Sequence, residues 1–287
     1  MNSSNLSQFE FLEADAWSHR LQALDDSAKQ TYGSRVRRFG RAVALVTPGA
    51  DIAVVNRAFA LGWDPPLDAD LLARVNEFYR AAGAPRWLVE LSPHAKVIGG
   101  RETLARQGGV QKTPTVKLRG DLRGEIGIET SPELTVHEIG RESATVFCEI
   151  VGSAFGLPLV VEPDLVSTLG HPDWHYYMAF IDGRPIAGAA MFVQGDGAWF
   201  GVAGTSTDAR KHGAQSALLA RRMVDAKRLG CSWVTAETAP DTAEQPNPSY
   251  RNMLRLGLRV AYLREKYLFE NTPSPVAPRP DPRQSTS

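Results

Sequence analysis

Residues 197–230 carry the pattern that decides the fold, and they read GAWFGVAGTSTDARKHGAQSALLARRMVDAKRLG. A strand comes first, then a polar turn over residues 210–216, then a long helix that Gly230 ends. The apolar residues of the helix are spaced for one buried face: Leu218, Leu219, Met223 and Ala226. A glycine turn at a helix start points backbone N–H groups at one spot, where the helix dipole favours negative charge. The stretch predicts a phosphate-binding turn, although a turn shaped only for packing has the same pattern.

The residues downstream add a strand at 232–237, a helix at about 248–256 and a strand at 260–269. This order resembles the GNAT (Gcn5-related) N-acetyltransferase family over residues 174–269. In this family the pyrophosphate-binding turn has the consensus sequence Arg/Gln-x-x-Gly-x-Gly/Ala. Arg210 and Gly213 match this consensus, and Gln215 departs from it. The family also has an asparagine followed, ten residues on, by Gly-Phe. Asn247 and Gly257 fit that signature, with leucine in place of phenylalanine.

The resemblance implies that the chain binds acetyl-CoA or another acyl-CoA through two segments. The backbone amides of the turn would hold the pyrophosphate: Lys211, His212, Gly213, Ala214, Gln215 and Ser216. Arg210 and Lys211 would add positive charge, and the Gln215 side chain must point away from the ligand; a solvated Arg210 is the alternative. The preceding strand would pair with pantetheine and leave an amide near the thioester oxygen through Val202, Ala203 and Gly204. Asn247 would contact the pantetheine arm.

The residues for acid and base catalysis are less defined. In this family an amine attacks the thioester directly, and a tyrosine six residues after the asparagine protonates the thiolate. That position is Met253 here, so Tyr250, three residues earlier, is the candidate acid, with a packed ring as the alternative. Glu237, at a strand end, is the candidate base acting through water, unless it is simply exposed. Ser249 is the expected helix cap. Four residues are weaker candidates: Glu149, Asp173 and His175 for contact with the acceptor substrate, and His212 in the phosphate-binding turn.

The composition narrows the class of protein. The 287 residues include 32 basic and 32 acidic side chains, so no net charge attracts nucleic acid or an anionic membrane. Cys148 and Cys231 lie in apolar segments and are expected to be core thiols. The histidines lack close metal-ligand spacing, so no metal is expected, and no Gly-x-Ser-x-Gly motif is present. With neither a signal peptide pattern nor a long apolar run, we expect a cytoplasmic protein.

The first half of the chain repeats the element order of the second half: a helix at 68–82, a strand at 86–91, a short helix to about 107 and a strand at 115–119. Where the glycine turn should lie, residues 63–70 carry acidic side chains, which would repel a pyrophosphate. The sequence therefore predicts an α/β (α+β) tandem GNAT-like fold. Its central sheet is mixed and mostly antiparallel, flanked by helices, and its N-terminal half is degenerate.

The predicted organisation is a helical segment at 1–34, the degenerate half at 35–122, the N-acetyltransferase domain at 123–270 and a disordered tail at 271–287. One amphipathic helix over 8–31 would end at Gly33, and a hinge would lie at 119–124. In the second half we expect a strand at 125–130, a helix at 133–155 and a hairpin turning at Asp182 and Gly183.

The predicted function is acyl-CoA-dependent transfer of an acyl group to a small amine or amino-acid-like acceptor. Two alternatives stay open: a non-catalytic acyl-CoA-binding or regulatory protein, which Met253 favours, and a GNAT-fold enzyme with other CoA-thioester chemistry. The expected partner is a small-molecule amine and neither nucleic acid nor a membrane. The sequence leaves the oligomeric state open, a homodimer included.

Overall fold

A computed structural model describes residues 4–126, 133–157 and 162–271 of the chain. The helices are α1 (Ser4–Gln22), α2 (Asp26–Tyr32), α3 (Ala69–Ala82), α4 (Glu102–Arg106), α5 (Ala144–Phe155), α6 (Glu162–Val166), α7 (Ala214–Arg228) and α8 (Pro248–Arg255). The strands are β1 (Arg35–Phe39), β2 (Ala42–Val46), β3 (Arg57–Phe59), β4 (Arg86–Leu91), β5 (Val110–Asp121), β6 (Leu134–Glu138), β7 (Trp174–Ile181), β8 (Arg184–Gln194), β9 (Gly197–Thr205), β10 (Trp233–Thr238) and β11 (Arg259–Glu270). Among these helices, none has the length and hydropathy that crossing a bilayer requires.

The strands form one sheet in the order β1-β2-β3-β4-β11-β5-β10-β9-β8-β7-β6. All neighbouring strands are antiparallel except β3 with β4 and β9 with β10. A parallel pair needs a crossover connection, and α3 and α7 supply it in the two halves of the chain. The predicted mixed, mostly antiparallel sheet flanked by helices is therefore confirmed.

The two halves of the chain share the centre of this sheet. Strand β5, from the N-terminal half, lies between β11 and β10, and it pairs Arg119 with Thr235 of β10. Strand β11, from the C-terminal half, lies between β4 and β5 and pairs Leu268 with Leu88. The predicted hinge at 119–124 is wrong for residues 119–121, because these residues form the end of β5. The halves are consequently not separate modules joined by a linker.

Helices cover both faces of the sheet. On one face, α7 and α8 enclose the apolar core of the C-terminal half, and α3 and α4 enclose that of the N-terminal half. On the opposite face, α5 and α6 pack on β7, β8 and β9, and α1 crosses from β9 to β2. Cys148 and Cys231 are buried and form no disulfide with each other, as predicted. Helix α1 contacts both halves on this face.

Two of the predicted helices differ from the structure. The helix expected over 8–31 is two helices, because the Asp25 carboxylate accepts a hydrogen bond from the Ala28 amide at 2.7 Å and begins α2 there. It ends at Gly33 as predicted, in a left-handed conformation at φ 67°. The helix expected over 133–155 begins as β6, which pairs with β7, and becomes α5 only at Ala144.

Other expectations can be compared with the described residues. The hairpin of β7 and β8 turns at Asp182 and Gly183, at φ 49° and 75°, as predicted. The strand expected at 125–130 lies largely outside the described residues, and so does the predicted tail at 271–287 apart from Asn271.

Candidate functional site

The turn between β9 and α7 leaves the start of α7 without a side-chain cap. Lys211 and Gly213 adopt left-handed conformations at φ 73° and 82°, and α7 begins at Ala214. Gly213 occupies the capping position, and among the residues that the structure describes no side chain caps the first amides of the helix. Arg210, Lys211 and His212 are exposed. Within the described residues Arg210 and Lys211 make no ion pair. The turn therefore offers unpaired amide donors and two free cations.

The helix at the equivalent place in the N-terminal half is closed. The carboxylate of Asp68 accepts a hydrogen bond from the Leu71 amide at 2.7 Å and caps α3. Asp70 lies in the first turn of the same helix. Since these carboxylates occupy the positive end of the helix dipole, this end does not attract an anion. The acidic stretch at 63–70 behaves as predicted.

Strands β9 and β10 separate next to the open turn. Their parallel pairing runs from Gly197 with Trp233 to Phe200 with Ala236 and stops there. The rest of β9 continues alone on that side, and a bulge places Val202 at φ 49°. The unpaired edge contains three residues predicted to contact pantetheine: Val202, Ala203 and Gly204. An extended ligand segment could add to this edge as a strand does.

Gly204 sets the distance between this edge and α5. A Cβ atom added at Gly204 would lie 2.8 Å from the Ala154 Cβ and 3.0 Å from the Val151 Cα. Contacts that short are repulsive, so only glycine allows the backbone of β9 to approach α5 here. Helix α5 thereby supports the unpaired edge from the opposite face of the sheet.

Gln215, at the position where the family motif has a small residue, is turned onto α8. Its Nε2 donates to Ser249 Oγ at 2.5 Å, and its Oε1 accepts from Asn252 Nδ2 at 2.7 Å. The larger side chain thus joins α7 to α8. Ser216 is half-buried in the first turn of α7.

Asn247 is the helix cap of α8, so the expectation that Ser249 caps it is wrong. The Asn247 Oδ1 accepts from the amides of Ser249 and Tyr250, at 3.0 and 3.3 Å. Its Nδ2 donates to Thr238 Oγ1 at 3.0 Å and to the Ala239 carbonyl at 2.7 Å. The side-chain amide has two donors and two acceptor sites, so all four are used. Asn247 fastens the end of β10 to the start of α8.

The two positions considered for the general acid differ in burial. Met253 is buried in the apolar core under α8, where it packs with Leu258. Tyr250 is half-buried at the start of α8, and its hydroxyl makes no hydrogen bond within the described part of the chain. Of these two side chains, Tyr250 alone has an ionisable proton.

Glu237 lies in a buried group of charges that we call the central ion cluster. Its members are Glu10, Glu13, Arg57, Glu90, Lys117, Glu237, Arg264 and Lys266. Glu237 pairs with Arg57 at 3.1 Å and with Arg264, and 19% of its side chain is exposed. Because three strands separate β3 from β10, this contact requires a strongly curved sheet with α1 on its concave face.

The cluster changes what Glu237 can do. Burial alone would raise the pKa of Glu237, but Arg57, Arg264 and Lys117 hold that pKa well below its usual range. A carboxylate with so little affinity for a proton is a poor base at neutral pH. The structure therefore gives Glu237 a role that the sequence analysis did not consider, as an ion-pair partner that joins β10 to β3 and β11.

Helix α1 supplies the anions that complete the cluster. Glu13 Oε2 accepts from Lys117 Nζ at 2.5 Å and from Arg264 Nη1 at 2.7 Å. Glu10 accepts from the Tyr262 hydroxyl at 2.7 Å. The sequence analysis missed this cluster, although charged residues inside apolar strands, such as Lys117 between Val116 and Leu118, are its signal.

The weaker candidates lie apart from the turn. Asp173 and His175 are at the start of β7, which is the opposite end of the sheet from the α7 turn, and His175 Nδ1 is 2.7 Å from Glu138 Oε1. Glu149 is exposed on α5. The structure does not bring these three residues to the unpaired edge of β9.

One group of described side chains has the composition of a metal site: His19, His171 and Asp173, with ligand atoms within 4.8 Å of one another. However, His19 Nδ1 accepts a hydrogen bond from the Trp174 indole at 3.2 Å. This bond places the imidazole proton on Nε2, and a metal ligand needs a free lone pair there. These residues therefore do not fit a metal ion, and the expectation that none is needed stays a prediction.

No protein-family model matches the sequence, and no curated protein sequence matches it either. Solved structures do match. A GCN5-related N-acetyltransferase from Kribbella flavida is 18% identical, with a TM-score of 0.61 over 86% of this chain and 94% of that chain. A GCN5-related N-acetyltransferase from Sphaerobacter thermophilus is 16% identical, with a TM-score of 0.58 over 80% of each chain. A tandem GNAT protein from the clavulanic acid biosynthesis pathway is 16% identical, with a TM-score of 0.50 over 71% of this chain and 70% of that chain.

These structures establish that the chain has a GNAT-like fold, as the sequence motifs predicted. At sequence identities of 11 to 18%, the similarity establishes the fold but not the reaction. The function therefore has to be argued from the open α7 turn and the unpaired edge of β9.

Proposed function

We propose that this protein is an acyl-CoA-dependent N-acyltransferase, with acetyl-CoA as the donor and a small amine as the acceptor. The observation that carries the proposal is the start of α7. In the described part of the chain it has no side-chain cap and its flanking cations, Arg210 and Lys211, have no ion-pair partner; it also lies beside the point where β9 and β10 separate. A pyrophosphate joined to an extended pantetheine arm has the charge and shape that these two features fit.

In the proposed complex the amides of the α7 turn hold the pyrophosphate, and Arg210 adds charge at the same place. The pantetheine arm lies along the edge of β9 at Val202, Ala203 and Gly204. The bulge at Val202 redirects a backbone amide there, and such an amide could stabilise the thioester oxygen during attack. Asn247 acts by holding β10 to α8, since its amide is fully hydrogen-bonded.

The reaction is direct transfer. The acceptor nitrogen attacks the carbonyl carbon of the thioester, the C–S bond breaks, and the sulfur leaves as a thiolate. We propose that Tyr250 protonates this thiolate, because its hydroxyl is free of partners in the described chain and Gln215 joins the start of α8 to the start of α7. Solvent accepts both protons that the acceptor nitrogen loses, one before the attack and one as the amide forms, and it returns one of them to the Tyr250 phenolate. Glu237 is not the base, because the cations of the central ion cluster keep its affinity for a proton low.

The binding step is tested by calorimetric titration of acetyl-CoA into the full chain. We expect micromolar affinity, about 7–8 kcal/mol. The double variant Arg210→Ala/Gly213→Asp should weaken binding at least a hundredfold, because an aspartate would cap α7 and repel the phosphates. Gly83→Asp is the matched control: Gly83 is also left-handed, at φ 78°, and has no atoms within 4 Å of an added Cβ. Equal loss of affinity in this control would contradict the proposed site.

The catalytic step is tested by thiol release from acetyl-CoA in the presence of a panel of small amines. Tyr250→Phe should lower the turnover number at least tenfold and leave the affinity for acetyl-CoA within threefold. Burial of Met253 at the family's tyrosine position favours the second candidate function, an acyl-CoA-binding protein without turnover. Tight binding with no thiol release for any amine would support that candidate.

A further inference from the structure

A cavity lies at the opposite end of the sheet from the α7 turn. It has a volume of about 600 Å³ and is formed by the end of β5, the start of β11, the end of α8 and the middle of α7. Met223 lines it, nine residues along α7 from Ala214. At 1.5 Å per residue this places the cavity about 14 Å from the proposed pyrophosphate position. The two sites are therefore distinct.

Three arginines line this cavity: Arg119, Arg255 and Arg259. Arg119 and Arg259 stand directly opposite each other in the pairing of β5 with β11. Like charges at such positions repel. Arg255 ends α8, where a cation is favoured by the helix dipole. Over residues 4–126, 133–157 and 162–271, none of the three forms an ion pair.

Neighbouring arginines of the C-terminal half differ in this respect. Arg221 pairs with Asp225 at 2.8 Å, and Arg251 pairs with Asp241 at 2.7 Å. Both oxygens of Asp121 are held by the Arg123 guanidinium at 2.9 and 2.6 Å, so Asp121 acts on Arg119 only by a longer-range attraction and not by an ion pair. Glu125 is the other carboxylate among the described residues that line the cavity.

We propose that this cavity binds a small anion that carries two or more negative charges. Three guanidinium groups in the lining of one cavity suit the planar, bidentate contacts that phosphate and carboxylate groups make. Ile126, Met223 and Leu256 add apolar surface to the lining, so the ligand also carries an apolar portion. A phosphate ester and a polycarboxylate share the required charge, and the experiment has to separate them.

The test uses the full chain with Gly213→Asp as background, so that the α7 turn does not bind the probes. Inorganic pyrophosphate and citrate are titrated separately by calorimetry. We expect at least one of them to bind, and binding to weaken at least tenfold in Arg255→Gln/Arg259→Gln. The control Arg35→Gln/Lys112→Gln removes the same charge at exposed positions elsewhere and should change affinity less than twofold. Tighter binding of pyrophosphate assigns a phosphate ligand, and tighter binding of citrate assigns a polycarboxylate.

A second measurement is the thermal unfolding midpoint, first without and then with a ligand. Because Arg119 and Arg259 repel each other, Arg259→Gln should raise the thermal unfolding midpoint of the free protein by about 1–3 °C. Pyrophosphate or citrate should raise the midpoint of the background protein and leave that of Arg255→Gln/Arg259→Gln unchanged. No binding of either probe to the background protein, or an equal loss in the control, would overturn the proposal.

Discussion

Helices α3 and α7 occupy the same place in the two halves of the chain, and their first turns have opposite electrostatic character. Each connects a pair of parallel strands, β3 to β4 and β9 to β10. Asp68 caps α3 with a carboxylate, whereas α7 begins at Gly213 with no side-chain cap. The connection between parallel strands therefore forms without an anion site. The residue at the helix cap decides whether the positive end of the dipole is available to a ligand.

The half with the closed helix still contributes to the site of the other half. Its last strand, β5, pairs with β10 on the side opposite β9 and so supports the separated edge. The N-terminal half thus acts through the sheet, and the C-terminal half through its helix start. Four substitutions test how the two halves divide these roles, and the first should have the greatest consequence for the protein.

The largest effect is expected from Glu13→Gln, which removes an anion on which both halves depend. Glu13 is fully buried between Lys117 of β5 and Arg264 of β11. Leaving buried cations without their partner should lower the free energy of unfolding by about 3 kcal/mol or more. Urea unfolding measures it, with Glu77→Gln, which breaks an exposed pair with Arg80, as a control expected to cost under about 1 kcal/mol. Unfolding of one half alone would contradict the shared sheet.

Asn247→Ala should have the next largest effect. It removes the cap of α8 and two bonds to the end of β10, which should cost about 2 kcal/mol of unfolding free energy. Ser249→Ala, which loses the contact with Gln215 at the same helix start, should cost about 1 kcal/mol. If Asn247 acts only through this junction, the affinity for acetyl-CoA changes less than about threefold once the variant is folded. A loss of affinity above thirtyfold would mean direct contact.

Asp68→Ala tests the closed helix. Loss of the cap should cost about 1 kcal/mol in urea unfolding. Acetyl-CoA affinity and stoichiometry should stay unchanged, since β3 extends only one residue, Phe59, past its last pair with β4 and offers no edge as long as that of β9. Appearance of a second acetyl-CoA site in this variant would show that the cap alone separates the two halves.

The smallest effect concerns His19, where α1 meets the C-terminal half. Burial, followed by the nearby His171, lowers the pKa of His19 from 6.5, and Asp173 opposes this shift. The unfolded chain therefore binds a proton first, so stability falls as the pH drops below about 6.5. In urea unfolding at pH 7.5 and pH 5.5, His19→Asn should lose less stability than the native protein, by under about 1 kcal/mol. An equal loss in both proteins would remove His19 as the cause.

The sequence motifs were sufficient for the local parts of the fold. The α7 turn, the hairpin at Asp182 and the acidic cap of α3 each depend on neighbours in the chain, and each has the predicted form. Candidate residues of the turn and of the β9 edge lie together for the same reason. Tyr250 as the acid remains a prediction.

The non-local parts were missed for physical reasons. Strands β5 and β11 each pair with a strand of the other half of the chain. This pairing joins residues far apart in sequence, and helical or strand periodicity does not encode it. Residues 134–138 have too short an alternating pattern to outweigh the helical one after them, and pairing with β7 decides their conformation. Glu10 and Glu13 resemble a solvent-facing side of α1, yet they are buried against cations from two strands.

The central ion cluster also fixes how the chain can be divided. A fragment that ends after β5 contains three anions of the cluster, Glu10, Glu13 and Glu90, but only two cations, Arg57 and Lys117, so it has one surplus negative charge. The other fragment contains two cations, Arg264 and Lys266, but only one anion, Glu237, so it has one surplus positive charge. Neither fragment can bury its share of charge alone. Separately produced fragments cut at Gly124 should therefore be insoluble apart and recover the native fold when refolded together, which makes this protein a candidate for fragment complementation.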